Sequence, residues 1–280
     1  MGSINKINGS ASDTLSKVNG TNDAVLCNML QGGGNSADAP YFSSHSVDLN
    51  GSSNYIDLAN SVNEVSTASG GISIWAKLDA ASANAYLIQI ASDTSVSNNR
   101  IILYYNNGNS KISYSMKYGG EAIAYNWAST GIEGDGAWHH IAMFWNPNAE
   151  AGTDMYACFD GLCQDAITCE GSFAGTVSAM MVGRATTSGS AYWDGHINEI
   201  ALWNTSTEGH DPLNAAAIAE IYNNRQGMNV SKDYGNYVQS VSLTGYWKCE
   251  ENTGTSLTDS STNSNAGTLS HSSLYTTDTI

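Results

Sequence analysis

The chain has 280 residues, 41% of them hydrophobic and only 13% charged, a balance that excludes a disordered chain and predicts a packed core. It carries 26 acidic residues against 10 basic ones, a net charge of −16, without a cluster of Lys and Arg. Nucleic acids and anionic membranes are therefore excluded as partners, because both are bound through clustered basic residues.

The N-terminal part of the chain contains a short internal repeat. The sequence Ile-Asn-Lys-Ile-Asn-Gly at 4–9 returns as Leu-Ser-Lys-Val-Asn-Gly at 15–20. Each copy alternates apolar and polar residues and ends in the turn signal Asn-Gly, but is too small to bury a core by itself. Residues 1–35 are therefore predicted to be an arm that anchors the chain to another protein, the alternative being a disordered tail. The apolar residues available for this anchoring are Ile4, Ile7, Leu15 and Val18.

The region from residue 39 to residue 203 is predicted to consist of strands and turns. Short segments rich in β-branched and aromatic residues alternate with clusters of Asn, Gly, Ser and Asp, and the whole chain has only three prolines. Many strands without intervening helices indicate an all-β sandwich or jelly roll. The predicted strands are 46–49, 55–58, 71–77, 86–90, 100–106, 111–118, 138–145, 154–159, 162–167, 179–183 and 196–203.

Two of the five cysteines lie close together in the sequence, on either side of a turn signal. Asp160-Gly161 predicts a two-residue hairpin turn, which places Cys158 opposite Cys163 at the second pair from the turn. Such a pair is non-hydrogen-bonded and has close Cβ atoms, so a cross-strand disulfide can form. Two free thiols are the alternative, since disulfides are rare in proteins made in a cytoplasm.

One helix is predicted after the strands. Asp211 supplies an N-cap and Pro212 suits the first helical position. Ile218 and Ile221 then fall on one apolar stripe, and Gly227 follows the expected end of the helix. This is a short helix that packs on a sheet, not a helical domain.

Five motifs follow one another in a fixed order. They are V-D-L-N-G at 47–51, G-I-S-I-W at 71–75, W-H-H-I-A at 138–142, D-G-H-I-N-E-I-A-L-W at 194–203 and A-E-I-Y-N at 219–223. Together they resemble the laminin-G-like domains of the concanavalin-A-like lectin and glucanase type. The resemblance implies an all-β, two-sheet jelly-roll sandwich at residues 36–280, in which residues 230–280 complete the sandwich.

The resemblance also implies a calcium site. Relatives use oxygen ligands from the first strand turn and from the closing strand, which correspond to Asn50, Asp194 and Asn198 in this chain. Ca²⁺ accepts carboxylate, amide and carbonyl oxygens. Asn50 and Asn198 stand where the family commonly has Asp, however, so the charge of the ligand set is reduced. A bound calcium ion is therefore an open alternative.

A glycan-binding face would need exposed aromatic rings beside polar partners. The central strands contain aromatic residues that can supply such a face, although alternating aromatics in a sandwich also pack in its core. The candidates are Tyr104, Tyr114, Tyr118, Tyr125 and Trp127.

No catalytic residues are predicted. A glycoside hydrolase needs two carboxylates about 5–9 Å apart. Laminarinase-type enzymes of this fold carry them on one strand as E-x-D-x-x-E, and this spacing does not occur in the chain. The chain is therefore expected to be non-enzymatic.

The repeated arm, and a family segment at 245–269 that follows the helix, are similar to virion proteins of tailed bacteriophages, marine ones in particular. The resemblance implies a virion-surface protein, a capsid decoration or fibre subunit held to other virion proteins by its arm. A homo-oligomer, by analogy a trimer, with weak adhesion to cell-surface glycans is expected. The alternative is a tail-associated receptor-binding lectin. Residues 1–30 lack the apolar stretch of a secretory signal, so synthesis in the host cytoplasm is expected.

Overall fold

The computed structural model describes residues 43–92, 99–118, 121–127, 131–146, 155–165, 176–186, 189–207 and 211–280. The predicted arm at residues 1–35, with Ile4, Ile7, Leu15 and Val18, lies outside the described residues. The boundary between the arm and the predicted jelly roll at 36–280 therefore stays a prediction.

Strands make up most of the regular structure in the described part of the chain. They are β1 (Ser46–Asn50), β2 (Ile56–Asp57), β3 (Gly70–Ala80), β4 (Ala85–Ala91), β5 (Arg100–Asn106), β6 (Lys111–Tyr118), β7 (Glu121–Asn126), β8 (His139–Trp145), β9 (Met155–Phe159), β10 (Leu162–Asp165), β11 (Ala179–Val182), β12 (Asp194–Asn204), β13 (Leu243–Trp247), β14 (Ser256–Leu257), β15 (Gly267–Leu269) and β16 (Tyr275–Thr276). The helix α1 spans Ala215–Tyr222, and short 3-10 helices span Ala59–Glu64, Asn223–Arg225 and Ser240–Ser242.

The strands form two sheets. The first has the order β10-β9-β8-β3-β12-β1-β16, with β13 also paired to β12. The second has the order β14-β15-β2-β11-β4-β5-β6-β7. Neighbouring strands are antiparallel in both sheets, and many neighbours are distant in sequence. The predicted fold class, a two-sheet jelly-roll sandwich with one short helix, is confirmed.

The main core lies between the two sheets and takes every second residue of each strand. In β3, Ile72 and Ile74 turn inward, whereas Ser73 and Trp75 turn to the outer face, because side chains alternate across a strand. Each fully buried aliphatic side chain of this kind stabilises the fold by about 1.5–3 kcal/mol. The outer face of the first sheet therefore rests on a tightly packed layer.

A second, smaller core covers one end of this outer face. There α1 packs Ile218 against a cluster that includes Phe144 of β8 and Trp203 of β12. The chain comes close to the sheet at Gly71, because a Cβ there would stand 2.3 Å from Leu213 Cδ1. The outer face therefore has an end that α1 covers and an end that it does not cover.

The N-cap of α1 is Asn214, so the prediction of Asp211 as the cap and Pro212 as the first helical residue is wrong. The side chain of Asn214 accepts a hydrogen bond of 2.9 Å from the backbone N–H of Ala217. The chain stays extended up to Asn214, which brings Leu213 down onto the sheet, where it is only 4% exposed. Burial of Leu213 thus outweighs the local Asp-Pro signal.

Within the described residues, no helix has the length and apolar character to cross a membrane.

The C-terminal segment, residues 230–280, contributes strands to both sheets. In the first sheet β13 pairs with β12 and β16 pairs with β1, while in the second β15 joins β14 to β2. The alternation at 243–249 predicts the first of these strands, but β14, β15 and β16 are two or three residues long and too short to show a period. The segment brings residues 271–278 beside β1.

The hairpin of β9 and β10 lies at the other edge of the first sheet. Asp160 and Gly161 in its turn have φ values of 47° and 77°, as a two-residue type I′ turn requires. The register places Cys158 opposite Cys163, and a disulfide joins them with their Cα atoms 4.1 Å apart. Of the two alternatives that the sequence leaves open, the structure has the disulfide.

Candidate functional site

The uncovered end of the outer face carries a row of charged side chains. Asp48 of β1 is paired with His196 of β12, which is paired with Lys77 of β3, so three neighbouring strands present these side chains next to one another. Asp79 belongs to the same face, two residues after Lys77, and its Oδ2 lies 3.4 Å from Nε2 of His196. This row is six residues along β3 from Gly71, where α1 covers the sheet, a separation of about 20 Å.

An open groove of about 360 Å³ borders this row. Its walls come from β1, from the loop that follows β1, and from the C-terminal segment before β16. Small-molecule sites usually measure about 300–1,000 Å³, so the groove is large enough for one or two sugar rings. All but one of its lining side chains can form hydrogen bonds. The lining residues are Asp48, Asn50, Ser53, Asn54, His271, Ser273 and Leu274.

The loop wall of the groove is organised by Asn50. Its Oδ1 accepts hydrogen bonds from the backbone N–H groups of Ser52, Ser53 and Asn54 at 2.9–3.1 Å. Its Nδ2 donates to Ser53 Oγ at 3.0 Å. An Asn that bonds the backbone just ahead of it is a common way to fix a turn. The loop is therefore held in one shape by a side chain that also lines the groove.

The C-terminal wall is tied to β1 and to the same loop. The backbone N–H of Asp48 donates to Leu274 O at 2.7 Å. The backbone N–H of Tyr55 donates to Ser270 Oγ, and the backbone N–H of Ser270 donates to Tyr55 O, both at 2.9 Å. Within this wall, Ser273 Oγ lies 3.0 Å from Nδ1 of His271. Both walls are therefore formed before any ligand is present.

Asp278 fastens the chain just beyond this wall. Its carboxylate accepts a hydrogen bond from Trp138 Nε1 at 3.0 Å and forms an ion pair with Lys77. Its backbone carbonyl accepts a hydrogen bond from Ser46 Oγ. These contacts reach β1, β3 and the residue that directly precedes β8. They hold the C-terminal segment across the uncovered end of the outer face.

The charges around the groove shift one another's protonation. Burial raises the pKa of Asp48, and the nearby side chain of His196 opposes this rise. Burial also raises the pKa of Asp194, to which the neighbouring carboxylate of Asp79 adds. Burial also acts to raise the pKa of Asp278, but the hydrogen bonds from Lys77 and Trp138 outweigh this effect, and the pKa is lowered.

The structure does not bring the three predicted calcium ligands together. Asn50 pairs directly with Asp194, but Asn198 lies four residues further along β12, about 13 Å away. Asn198 is fully buried, and its Nδ2 donates to Ser43 Oγ and to His45 O, so it holds the chain where it enters β1. In the described residues, no group of three or more His, Cys, Asp or Glu side chains could hold a metal ion. In this arrangement Asn198 does not share a site with Asn50 and Asp194, and calcium binding stays a prediction.

The predicted aromatic face divides into buried and half-buried residues. Tyr114 is fully buried and its hydroxyl donates across the core to Cys158 O at 2.7 Å. Trp127 is 5% exposed and its ring lies 5.8 Å from that of Phe159. Both belong to the core, so assigning them to a binding face is wrong.

Tyr104 of the predicted aromatic face lies elsewhere. It is half-buried on the outer face of the second sheet, with its ring centroid 5.4 Å from that of Tyr86. The side chains of Tyr118 and Tyr125 lie outside the described residues. A role in ligand binding stays a prediction for Tyr104, Tyr118 and Tyr125.

The two adjacent histidines of β8 have opposite surroundings. His139 lies between two carboxylates, with Nδ1 2.9 Å from Asp160 Oδ2 and Nε2 2.9 Å from Asp135 Oδ2. Burial lowers the pKa of His139, but the hydrogen bonds to Asp160 and Asp135 outweigh it, and the pKa is raised. His140 is fully buried, its Nε2 lies 2.6 Å from Ser73 Oγ, and burial lowers its pKa to about 4.

The pair of Ser73 and His140 does not form a catalytic site. Ser73 is only 2% exposed, and Tyr222 of α1 lies over the outer face with its ring 6.2 Å from that of His140. In the described part of the chain Nδ1 of His140 has no hydrogen-bond partner, whereas a serine nucleophile needs a histidine that a carboxylate orients through this atom. The two side chains are part of the packing between the sheet and α1.

The sequence predicts only part of the groove. It places Asn50 in the predicted metal site and Asp48 in the V-D-L-N-G motif. Ser53, Asn54, His271 and Ser273 are not predicted as site residues. The one signal in the sequence is the run Asn-Gly-Ser-Ser-Asn at 50–54, in which closely spaced amides and hydroxyls follow a buried strand.

Comparisons with known structures agree with this architecture. A candidate carbohydrate-binding protein from Bacteroides ovatus is 12% identical with a TM-score of 0.54, and the match covers 87% of this chain but only 62% of that one. The CBM40 module of the Ruminococcus gnavus IT-sialidase, bound to α2,3-sialyllactose, is 14% identical with a TM-score of 0.48 and is matched over 100% of its length by 65% of this chain. A heptameric pentraxin from Limulus polyphemus is 8% identical with a TM-score of 0.47, covering 76% of this chain and 94% of that one.

At 12% identity the first of these matches, the one with a TM-score above 0.5, shows the fold alone. Among curated proteins none matches the sequence. The sequence of residues 50–211 matches the Laminin_G_3 family, described as the concanavalin A-like lectin/glucanases superfamily. This match includes more than half of the chain and contains strands of both sheets. The chain therefore belongs to the concanavalin A-like lectin/glucanase superfamily, in its laminin-G-like branch.

Proposed function

We propose that the chain is a non-enzymatic glycan-binding protein and that sugars bind in the groove beside Asp48. The chemistry of the groove carries this proposal. A carboxylate, two amides, two hydroxyls and an imidazole line a space of about 360 Å³. Sugar hydroxyls both donate and accept hydrogen bonds, and this mixture of groups can satisfy both roles.

The rigidity of the walls supports the same proposal. Binding costs less when the groups that contact a ligand are already ordered. Asn50 fixes the loop wall, and the hydrogen bond from Asp48 to Leu274 fixes the C-terminal wall. The likeness of the fold to a candidate carbohydrate-binding protein also favours a sugar ligand.

The groove favours binding over hydrolysis. A glycoside hydrolase places two carboxylates about 5–9 Å apart on either side of the scissile bond. Among the residues that line this groove only Asp48 carries a carboxylate. A sugar in the groove would therefore contact one carboxylate among the lining side chains, that of Asp48.

We place the protein on the surface of a virion, as a capsid decoration or fibre subunit in a homo-oligomer. The first described residues lie at the start of β1, where Glu250 accepts hydrogen bonds from Ser43 Oγ and from the backbone N–H of Ser44. The groove lies towards the other end of β1, beside Asn50. In this proposal an arm at residues 1–35 binds other virion proteins, and the groove binds cell-surface glycans.

A tail-associated receptor-binding lectin is the second candidate function. It predicts tight binding to a narrow set of host carbohydrates, whereas a decoration protein predicts weak binding to many. The predicted calcium ligands do not assemble, so under either function we expect binding that does not need calcium.

The test is glycan-array binding by the full chain and by Asp48→Asn, with and without calcium, together with light scattering. The amide keeps the size of Asp48 and removes its charge. Binding that Asp48→Asn weakens and that chelation leaves unchanged supports the proposal. A chain that binds no glycan in either condition overturns it. Selective binding to one host glycan in the nanomolar range would favour the receptor-binding lectin.

A further inference from the structure

A second feature borders the groove on the side of the second sheet. The guanidinium of Arg184 lies over the ring of Tyr55, with Cζ 3.7 Å from the ring centroid. Tyr55 directly follows Asn54 of the groove, and its backbone is hydrogen-bonded to Ser270, which directly precedes His271 of the groove. Arg184 therefore stands immediately beside the two chain segments that form the walls.

The packing of neighbouring residues confirms that these segments are in contact. A Cβ on Gly183, the residue before Arg184, would stand 3.7 Å from the backbone carbonyl oxygen of Asn54. A Cβ on Gly189 would stand 3.7 Å from Arg184 Nη1 and 3.3 Å from the hydroxyl of Tyr192. The guanidinium and a phenol hydroxyl thus converge on one small region next to the groove.

Arg184 has no acidic partner among the described residues. Lys77 pairs with Asp278 and Arg225 approaches Asp160, but no carboxylate lies within 4.0 Å of the nitrogens of Arg184 in the described part of the chain. Its Nε is buried and has no hydrogen-bond partner among the residues that the structure describes, and Nη2 has a long contact of 4.0 Å with Met181 Sδ. Among the described residues, the guanidinium of Arg184 is therefore held by the ring of Tyr55 and not by a carboxylate.

The contact between the Arg184 guanidinium and the Tyr55 ring orders the guanidinium. A ring that holds one face of a guanidinium leaves the N–H groups along its edge free to bind. These N–H groups form a planar fork that matches two oxygens of a carboxylate or a sulfate. The Tyr55 ring reduces the number of conformations that Arg184 loses on binding. Arg184 is therefore ordered for an oxyanion that the described chain does not itself provide.

We infer that Arg184, oriented by Tyr55, recognises an oxyanion on the bound glycan, so that the ligand class is acidic sugars that carry a carboxylate or a sulfate ester. This inference rests on the proposed binding of sugars in the adjacent groove. Asp48 and the loop wall hold the sugar ring, and Arg184 with the Tyr192 hydroxyl binds the charged substituent. Neutral sugars use the groove alone and bind more weakly.

The test uses the full chain and an array in which each oligosaccharide core is present in three forms: neutral, with a uronic acid carboxylate, and with a sulfate ester. We expect an acidic form to bind roughly ten- to a hundredfold more tightly than its neutral counterpart, the range for a charge-assisted hydrogen-bonded pair. Arg184→Gln should reduce this preference to about one and leave binding of the neutral form unchanged. Tyr55→Leu should give an intermediate preference.

Lys111→Gln is the matched control, because it removes one positive charge from β6, which is three strands away from β11 in the second sheet. Near-ultraviolet circular dichroism of each variant checks that it is folded. The comparison between the carboxylate and sulfate forms identifies which oxyanion the site prefers.

Two results would overturn the inference while the proposed function stands. One is equal binding of neutral and acidic forms by the full chain, and the other is an acidic preference that survives in Arg184→Gln. Binding of no form on any core would overturn the proposed function itself, and the inference with it. If Lys111→Gln lowers the acidic preference as much as Arg184→Gln does, the preference arises from the overall charge of the protein. This result would also reject the inference.

Discussion

The two ends of the outer face of the first sheet are built on the same strands and serve different purposes. At one end, β8 and β12 present Phe144 and Trp203, which α1 buries in the second core. At the other end, β1 and β3 present Asp48 and Lys77, which stay beside a solvent-open groove. One face of a sheet thus contributes to stability at one end and can recognise a ligand at the other.

The boundary between the two ends lies at Trp75. Its ring stacks on Tyr222 of α1 at 5.7 Å and also lies 5.2 Å from His140. On the other side, Trp75 of β3 is paired with Asn198 of β12. Asn198 holds the chain at the start of β1. Substitutions on either side of this row should therefore separate effects on stability from effects on binding.

The largest effect on stability is expected at the covered end, from Trp203→Ala. Trp203 is fully buried, and its Nε1 donates to the hydroxyl of Tyr237 at 2.9 Å. Truncation of a buried Trp costs about 3–5 kcal/mol of unfolding free energy, because it removes apolar contacts and leaves a cavity. Urea unfolding followed by tryptophan fluorescence measures the loss.

The control for Trp203→Ala is Leu162→Ala, an apolar truncation at a residue that is 69% exposed. It should change the free energy of unfolding by less than about 0.5 kcal/mol. Glycan affinity should stay unchanged in the folded fraction of both variants, and a loss of affinity in Trp203→Ala would show that the two ends are not independent.

The next largest effect is a pH dependence that arises from His140. Its pKa is lowered to about 4 in the folded chain, against about 6.5 when unfolded. Below pH 6.5 the unfolded chain binds a proton that the folded chain does not, so stability falls as the pH falls from 6.5 to 4. The loss amounts to about 3 kcal/mol over this window.

The measurement is the free energy of unfolding in urea at several pH values between 4 and 7, for the full chain and for the double variant Ser73→Ala/His140→Phe. The double variant keeps a ring at position 140 and removes both polar partners, so its pH slope should be smaller. Equal slopes would contradict a neutral buried His140. His139 has the opposite shift, so it contributes stability below pH 6.5 that is lost as the pH rises through its raised pKa.

The covered end could be predicted from the sequence far better than the groove. Alternation in β3, β8 and β12 indicates which residues face outward, and the stripe of Ile218 and Ile221 predicts a helix that packs there. The groove combines 48–54 with 271–274, more than 200 residues apart, and β16, which joins them, is two residues long. No periodicity in the sequence indicates that two segments so far apart lie side by side.

The errors in the predicted sites have a related cause. Tyr104 and Tyr114 are both aromatic residues in central strands, but one is half-buried on an outer face and the other is in the core. Which face a strand residue occupies depends on the pairing of the whole sheet, not on its own type. Asn198 likewise matches a ligand position of the family in sequence. In the structure it lies four residues along β12 from Asp194, beside β3 and not beside Asn50.

A moderate effect is expected at the uncovered end from Asp278→Asn. The carboxylate is 38% exposed, so the loss of its ion pair with Lys77 should cost only about 1 kcal/mol of unfolding free energy. The loss should shrink at high salt, which screens exposed ion pairs. It should also disappear as the pH falls through the lowered pKa of Asp278, because the pair contributes stability only while the carboxylate is charged.

Asp278→Asn should also weaken glycan binding, because the contact with Lys77 holds the segment that carries His271 and Ser273. The matched control is Asp211→Asn, the same chemical change at an exposed residue next to α1. If both variants bind glycans as the full chain does, the Asp278 contact does not shape the groove.

The smallest effect on stability, and the sharpest separation of the two ends, is expected from Ser273→Ala. Ser273 is exposed and lines the groove, so its removal should change the free energy of unfolding by less than about 0.5 kcal/mol. The loss of one neutral hydrogen bond should lower glycan affinity by roughly three- to tenfold. Ser272→Ala is the matched control, since this neighbour is also exposed but does not line the groove. Titration calorimetry with the best glycan on the array measures both, and equal affinities would mean that sugars bind elsewhere on the molecule.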